Sequence, residues 1–146
     1  AMAKLGDSFA CAGAPAIAGK PFTIQCTLDT KKPNGVILAH GGSAVGYVLY
    51  AKDSEIVFAV RHSSNRIQRV TLRPAEAPFA ITAKLTAAQL SLTINGHGMT
   101  AKAVDLLRRH PQEDLGIGHD AKNPVDSEAP RAQINGKLTN LKVTLP

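Results

Sequence analysis

Phe22-Thr23-Ile24-Gln25-Cys26-Thr27-Leu28-Asp29 puts an apolar side chain at every second position and a polar one between. Side chains of a strand alternate between its two faces, so the octapeptide reads as a half-buried β-strand with Phe22, Ile24, Cys26 and Leu28 on a core. The pattern returns in Phe79, Ile81, Ala83 and Leu85 and in Leu90, Leu92 and Ile94, after which Asn95-Gly96 is the strongest hairpin signal in the chain. Pro33-Asn34-Gly35 turns the chain after the first strand, and Lys52-Asp53-Ser54-Glu55 makes a polar turn into Ile56, Phe58 and Val60. The closing strand runs from Leu138 to Leu145. Leu141, Val143 and Leu145 share a face there, and the three-residue step back to Leu138 breaks the period, which predicts a bulge near Asn140. Only Lys102 to His110 carries a helical pattern, with Val104, Leu106 and Leu107 on one side and Pro111 closing it. Eight or more short strands and at most one short helix predict an all-β fold, an antiparallel β-sandwich or jelly roll.

Two segments depart from alternation. Val36 to Ala39 and Tyr47 to Ala51 are apolar on both faces, whereas a sandwich strand with a wet outer face alternates. Something is expected to cover that outer face: a loop of the same domain, or a neighbouring domain of a longer protein.

Length and charge set the outer bounds. At 146 residues, 44% hydrophobic and 19% charged, residues 1–146 suit one domain with its own core. No apolar run approaches the roughly 20 residues of a membrane helix, so no membrane span is expected. The net charge of +6 permits an anionic partner. With aromatics at 4% and no Trp, stacking platforms are not expected, and no reading helix or known motif points to nucleic acid. Cys11 and Cys26 cannot build a disulfide scaffold; they stay open between one bridge and two buried thiols, with free thiols favoured. No signal peptide is visible, and Met2 reads as a cloning remnant, so the chain is expected to be excised from a longer one.

The residues that carry chemistry give little sign of catalysis. The four glutamates, Glu55, Glu76, Glu113 and Glu128, form no pair on one strand face of the kind that glycoside hydrolysis needs. Gly41-Gly42-Ser43-Ala44-Val45-Gly46 does not match G-x-S-x-G, and Ser43 reads as a turn residue. The five histidines lack metal-ligand spacing; His40, before the Gly pair, is the one given a binding role. In the loop from His119 to Asp126, Asp120, Asn123 and Asp126 stand three residues apart, a calcium pattern against which Lys122 and plain turn chemistry count. Arg61, Arg66, Arg69 and Arg73 fall on a turn and strand, with Arg61, Arg69 and Arg73 of one parity. The planar guanidinium fork suits sulfate, phosphate or carboxylate, so these four form the candidate polyanion strip; the alternative is an ordinary solvated sheet face.

A family resemblance rests on three stretches. Gly35-Val36-Ile37-Leu38-Ala39-His40-Gly41-Gly42 with Gly46-Tyr47-Val48-Leu49-Tyr50-Ala51-Lys52-Asp53 resembles the double-strand signature of laminin G-like domains, in particular those C-terminal to bacterial arylsulfatases. Leu115-Gly116-Ile117-Gly118-His119-Asp120 with Pro124-Val125, and Gly136 to Leu145, resemble that family's later strands. The resemblance implies a concanavalin A-like jelly roll that is not itself an enzyme: an accessory module beside a catalytic domain of a sulfatase-like, periplasmic or secreted protein, orienting anionic or sulfated polysaccharide. No cofactor is expected, and calcium, from the spacing of Asp120, Asn123 and Asp126, is the one candidate ion. Neither cysteine has the Pro, Ala or Ser two places on and the Arg four places on that sulfatase chemistry requires. The alternatives are a ligand-free structural or oligomerisation sandwich and, less favoured, a glycan hydrolase.

Overall fold

Alternation becomes strand wherever one face can be buried. The computed structural model describes residues 8–9, 17–74, 76–102, 106–107, 111, 115–120 and 124–145. Among them run β1 (Ser8–Phe9), β2 (Phe22–Asp29), β3 (Gly35–Gly41), β4 (Gly46–Lys52), β5 (Glu55–Ser63), β6 (Arg66–Leu72), β7 (Phe79–Leu85), β8 (Gln89–Ile94), β9 (His97–Lys102), β10 (Leu115–Ile117) and β11 (Lys137–Thr144). They form two antiparallel sheets. Sheet I has the order β1-β10-β3-β4-β5-β6 and sheet II the order β11-β2-β7-β8-β9. No helix occurs among the described residues. Of the expected helical stretch, Lys102 ends β9 and Leu106 and Leu107 lie in irregular chain, Leu107 buried in the core; Val104 and residues 108–110 lie outside the described residues.

The core fills the space between the sheets. Phe22, Ile24, Cys26 and Leu28 of β2 meet Leu49, Phe58 and Val60 of sheet I in one apolar cluster. Phe22 stands at its centre, its ring 4.6 Å from that of Tyr47 and 6.3 Å, edge on, from that of Phe58. Cys26 is a free, buried thiol whose pKa burial pushes up to about 12; Cys11 lies outside the described residues. At the sheet edges Gln68 Nε2 of β6 donates a 2.9 Å hydrogen bond to the Lys102 carbonyl of β9, tying edge to edge.

Turn chemistry sets the registers. Asn95 and Gly96, with φ of 51° and 85°, turn β8 into β9 so that Ile94 faces His97. Asp53 and Ser54 do the same without glycine, with φ of 52° and 65°. The expected bulge is present: the β11–β2 register shifts between Thr139 and Lys142, and Asn140 has φ 56°. A second bulge, which the sequence did not announce, lies between Val36 and Leu38 of β3.

The two-faced strands are covered by the chain itself. On the outer face of sheet I, Val36, Ala39, Val48, Tyr50, Val57 and Ala59 form a second apolar cluster with Val125 and Ala129 of the loop after β10. Backbone bonds fix that loop: Val36 N donates to Ala132 O at 2.8 Å and Ile134 N to Val36 O at 2.9 Å. Close approach requires glycine twice. A Cβ on Gly35, whose φ is +123°, would collide with the Gln133 carbonyl, and one on Gly46 would lie 2.8 Å from Val125 Cγ2. The glycines that open the two strands of the resemblance are thus the places where the covering loop touches down.

Candidate binding surface

Strand parity decides where each candidate points. On β5, Ile56, Phe58 and Val60 belong to the inner core and Val57 and Ala59 to the outer cluster, so Arg61 points outward. On β6, Val70 is inner and Ile67 packs on the outer cluster, so Arg69 also points outward. Arg66 begins β6 on the other parity and is exposed; Arg73 lies just past the strand's end.

The covering loop engages the two central arginines. Arg61 Nε donates to the Val125 carbonyl at 2.5 Å, and its Nη1 to the Ser63 and Ser64 carbonyls at 3.2 Å each. Arg69 grips Asp126 with both edges of its fork, Nε to Oδ2 at 2.7 Å and Nη2 to Oδ1 at 2.8 Å, and its Nη2 also lies 2.9 Å from Glu128 Oε2. Tyr50 donates its hydroxyl to Asp126 Oδ2 at 2.9 Å, and the Glu128 N–H donates to Oδ1 at 2.9 Å. Arg73 faces Glu55 at 3.7 Å, both side chains largely exposed.

The charges follow from this geometry. Burial, the largest single influence on Asp126, disfavours its ionised form, but the bonds from Arg69, the Glu128 N–H and Tyr50 outweigh it and hold the carboxyl below its ordinary 3.8. The Asp126 bond raises Arg69, and burial followed by the Asp126 bond raises Tyr50. Arg69 therefore faces two carboxylates, and the four arginines are not a continuous cationic strip: Arg61 and Arg69 hold the loop, Arg73 is paired, and Arg66 stands apart.

Two further expectations meet the structure here. Asp126, foreseen as a calcium ligand, accepts four hydrogen bonds, about the full capacity of a carboxylate, and a cation would have to displace a bound guanidinium. Asp120 accepts from the Val125 N–H at 3.0 Å, closing the turn, and Asn123 lies outside the described residues. Asp126 is thus held by an arginine, and Asp120 by its own turn. His40 is fully buried on the core side of sheet I, its Nδ1 3.1 Å from the Tyr47 hydroxyl, and does not join the outer-face arginines. The β3 bulge is the reason, because one extra residue moves everything after it to the other face.

No protein-family model and no curated protein matches the sequence. Solved structures do match. Domains LG4-5 of the mouse laminin alpha1 chain superpose with a TM-score of 0.78 at 17% identity, covering 96% of this chain and 39% of that one. The fold is a laminin G-like jelly roll. The same laminin G-like sandwich is similar to the binding domain of botulinum neurotoxin DC, solved in complex with rat synaptotagmin II, with a TM-score of 0.59 at 12% identity over 85% of this chain and 32% of that one. A botulinum neurotoxin type C structure, whose cell entry is described as dependent on two ganglioside molecules, gives 0.62 at 14% identity over 87% and 33%. This chain thus spans about two fifths or less of the chains it resembles.

Proposed function

We propose that residues 1–146 form a non-catalytic binding module for anionic polysaccharide, carried in a larger protein. The observation that carries this reading is a net charge of +6 on a laminin G-like sandwich in which, among the described residues, carboxylates at the outer face of sheet I are held by arginines, Asp126 and Glu128 by Arg69 and Glu55 by Arg73. Carboxylates so held are poorly placed for acid–base chemistry, which supports a reading without catalysis. The solved likenesses include domains described as binding domains and one protein described as depending on gangliosides, which favours a glycan over a neutral packing role. The parent as a sulfatase-like enzyme, and its place outside the cytoplasm, rest on the motif resemblance alone.

Retention on heparin-agarose and on unsubstituted agarose at low and high salt tests the reading. The module is expected to be retained on heparin only, and to elute as salt shortens the reach of its exposed charges. Failure to bind heparin at low salt would overturn it.

A further inference from the structure

Among the described residues, the outer face of sheet II differs from that of sheet I in having no covering loop and almost no acid. Its outward positions on β2, β7 and β8 are Thr23, Gln25 and Thr27, Thr82 and Lys84, and Ser91 and Thr93, alternating with core residues. Lys142 on β11, Lys84 on β7 and Lys102 on β9 are exposed, and no ion pair involves them among the described residues. The one carboxylate on this face among the described residues, Asp29, lies opposite Lys137 at the far end of β2.

Register turns these three lysines into a line. Lys142 faces Gln25, which faces Thr82; Lys84 faces Thr23 on one side and Ser91 on the other; Lys102 faces Gln89. From Lys142 to Lys84 is two strands across and two residues along, and from Lys84 to Lys102 the same step repeats. With about 4.8 Å between strands and about 3.4 Å per residue, each step is about 12 Å and the line about 24 Å. Thr23, Gln25 and Ser91 floor the spaces between the ammonium groups with hydroxyl and amide groups.

We infer that this lysine diagonal across sheet II, and not the arginines of β5 and β6, is the surface that takes the anionic polysaccharide. The inference rests on the binding reading above and gives it a place. Charge complementarity selects the occupant: evenly spaced cations, with no ion pair among the described residues, match a linear chain whose sulfate or carboxylate groups recur at a regular interval, and the hydroxyl floor offers partners to sugar hydroxyls. The arginine side lacks this, because Arg69 already faces two carboxylates and Arg73 one.

The test compares wild-type domain with K84Q/K102Q/K142Q and with K31Q/K32Q/K52Q, an equal loss of charge at exposed lysines elsewhere, by titration with heparin at fixed salt and by thermal unfolding. Surface ion pairs of modest individual strength lead to an expected weakening of about tenfold or more for the diagonal variant, with the control within about twofold of wild type and both unfolding as wild type does. Equal weakening of both variants, or wild-type affinity in the diagonal variant, would overturn the placement while leaving the binding reading intact. Absence of heparin binding by the wild-type domain would overturn both.

Discussion

Arg69→Met is expected to destabilise the domain by about 2–4 kcal/mol in urea unfolding near neutral pH, the largest loss from any single change of charge on the outer face of sheet I. Asp126 is fully buried and would be left ionised without its guanidinium. The range sits below that for breaking a wholly buried pair because Arg69 is 34% exposed and partly solvated already. Tyr50→Phe, which removes one bond to the same carboxylate, is expected to cost about 1.5–3 kcal/mol. The network also fixes a pH dependence. Asp126 ionises more readily folded than at its ordinary 3.8, so its contribution to stability is complete above that value and is lost as pH falls through the lower folded one. Wild-type stability should therefore fall more steeply in acid below 3.8 than that of a variant with both partners made apolar; parallel curves would show that the carboxylate stabilises nothing.

Phe22→Ala is expected to cost about 3–5 kcal/mol and to lower the unfolding midpoint by roughly 10 °C. Phe22 is 1% exposed and joins the sheets through its contacts with the rings of Tyr47 and Phe58, so truncation leaves a void lined by both. Phe22→Leu keeps most of the volume and should lose no more than about 1.5 kcal/mol. Similar losses for the two variants would mean that the core collapses around the site and that the ring is not its keystone.

How much of this was legible depends on the range of the interaction. Where the deciding contact is local, the sequence carried it: the alternation of Phe22 to Leu28, the Asn95-Gly96 turn and the broken period at Asn140 each follow from backbone and side-chain geometry within a few residues. The need for a cover over Val36 to Ala39 and Tyr47 to Ala51 was also legible, because apolar groups on both faces must be buried somewhere. Its identity was not, since Val125 and Ala129 come from a loop some eighty residues further on.

The site was less legible for the same reason. Arg69 and Asp126 are 57 residues apart, and a carboxylate among turn residues looks the same in sequence whether a cation or a guanidinium faces it. A usable signal was present: Arg61 and Arg69 share parity with Val57, Ala59 and Ile67, so they stand on the apolar face that needs a cover and are placed to bind it down. His40 faces the core because of a bulge at β3 that no turn residue marks. The lysine diagonal is invisible in sequence because its members lie on three strands that only the pairing registers align.

The arginines of sheet I hold a loop, and the proposal gives the ligand to sheet II. The most direct test is heparin elution of R69M/D126L, which removes one positive and one negative charge together and leaves the net charge unchanged. The expected result is a folded protein more stable than R69M alone, since replacing both members of such a pair by apolar groups can be nearly neutral, eluting at the wild-type salt concentration. A folded double variant that no longer binds heparin would contradict it, because Arg69 would then be a ligand contact and not a strut.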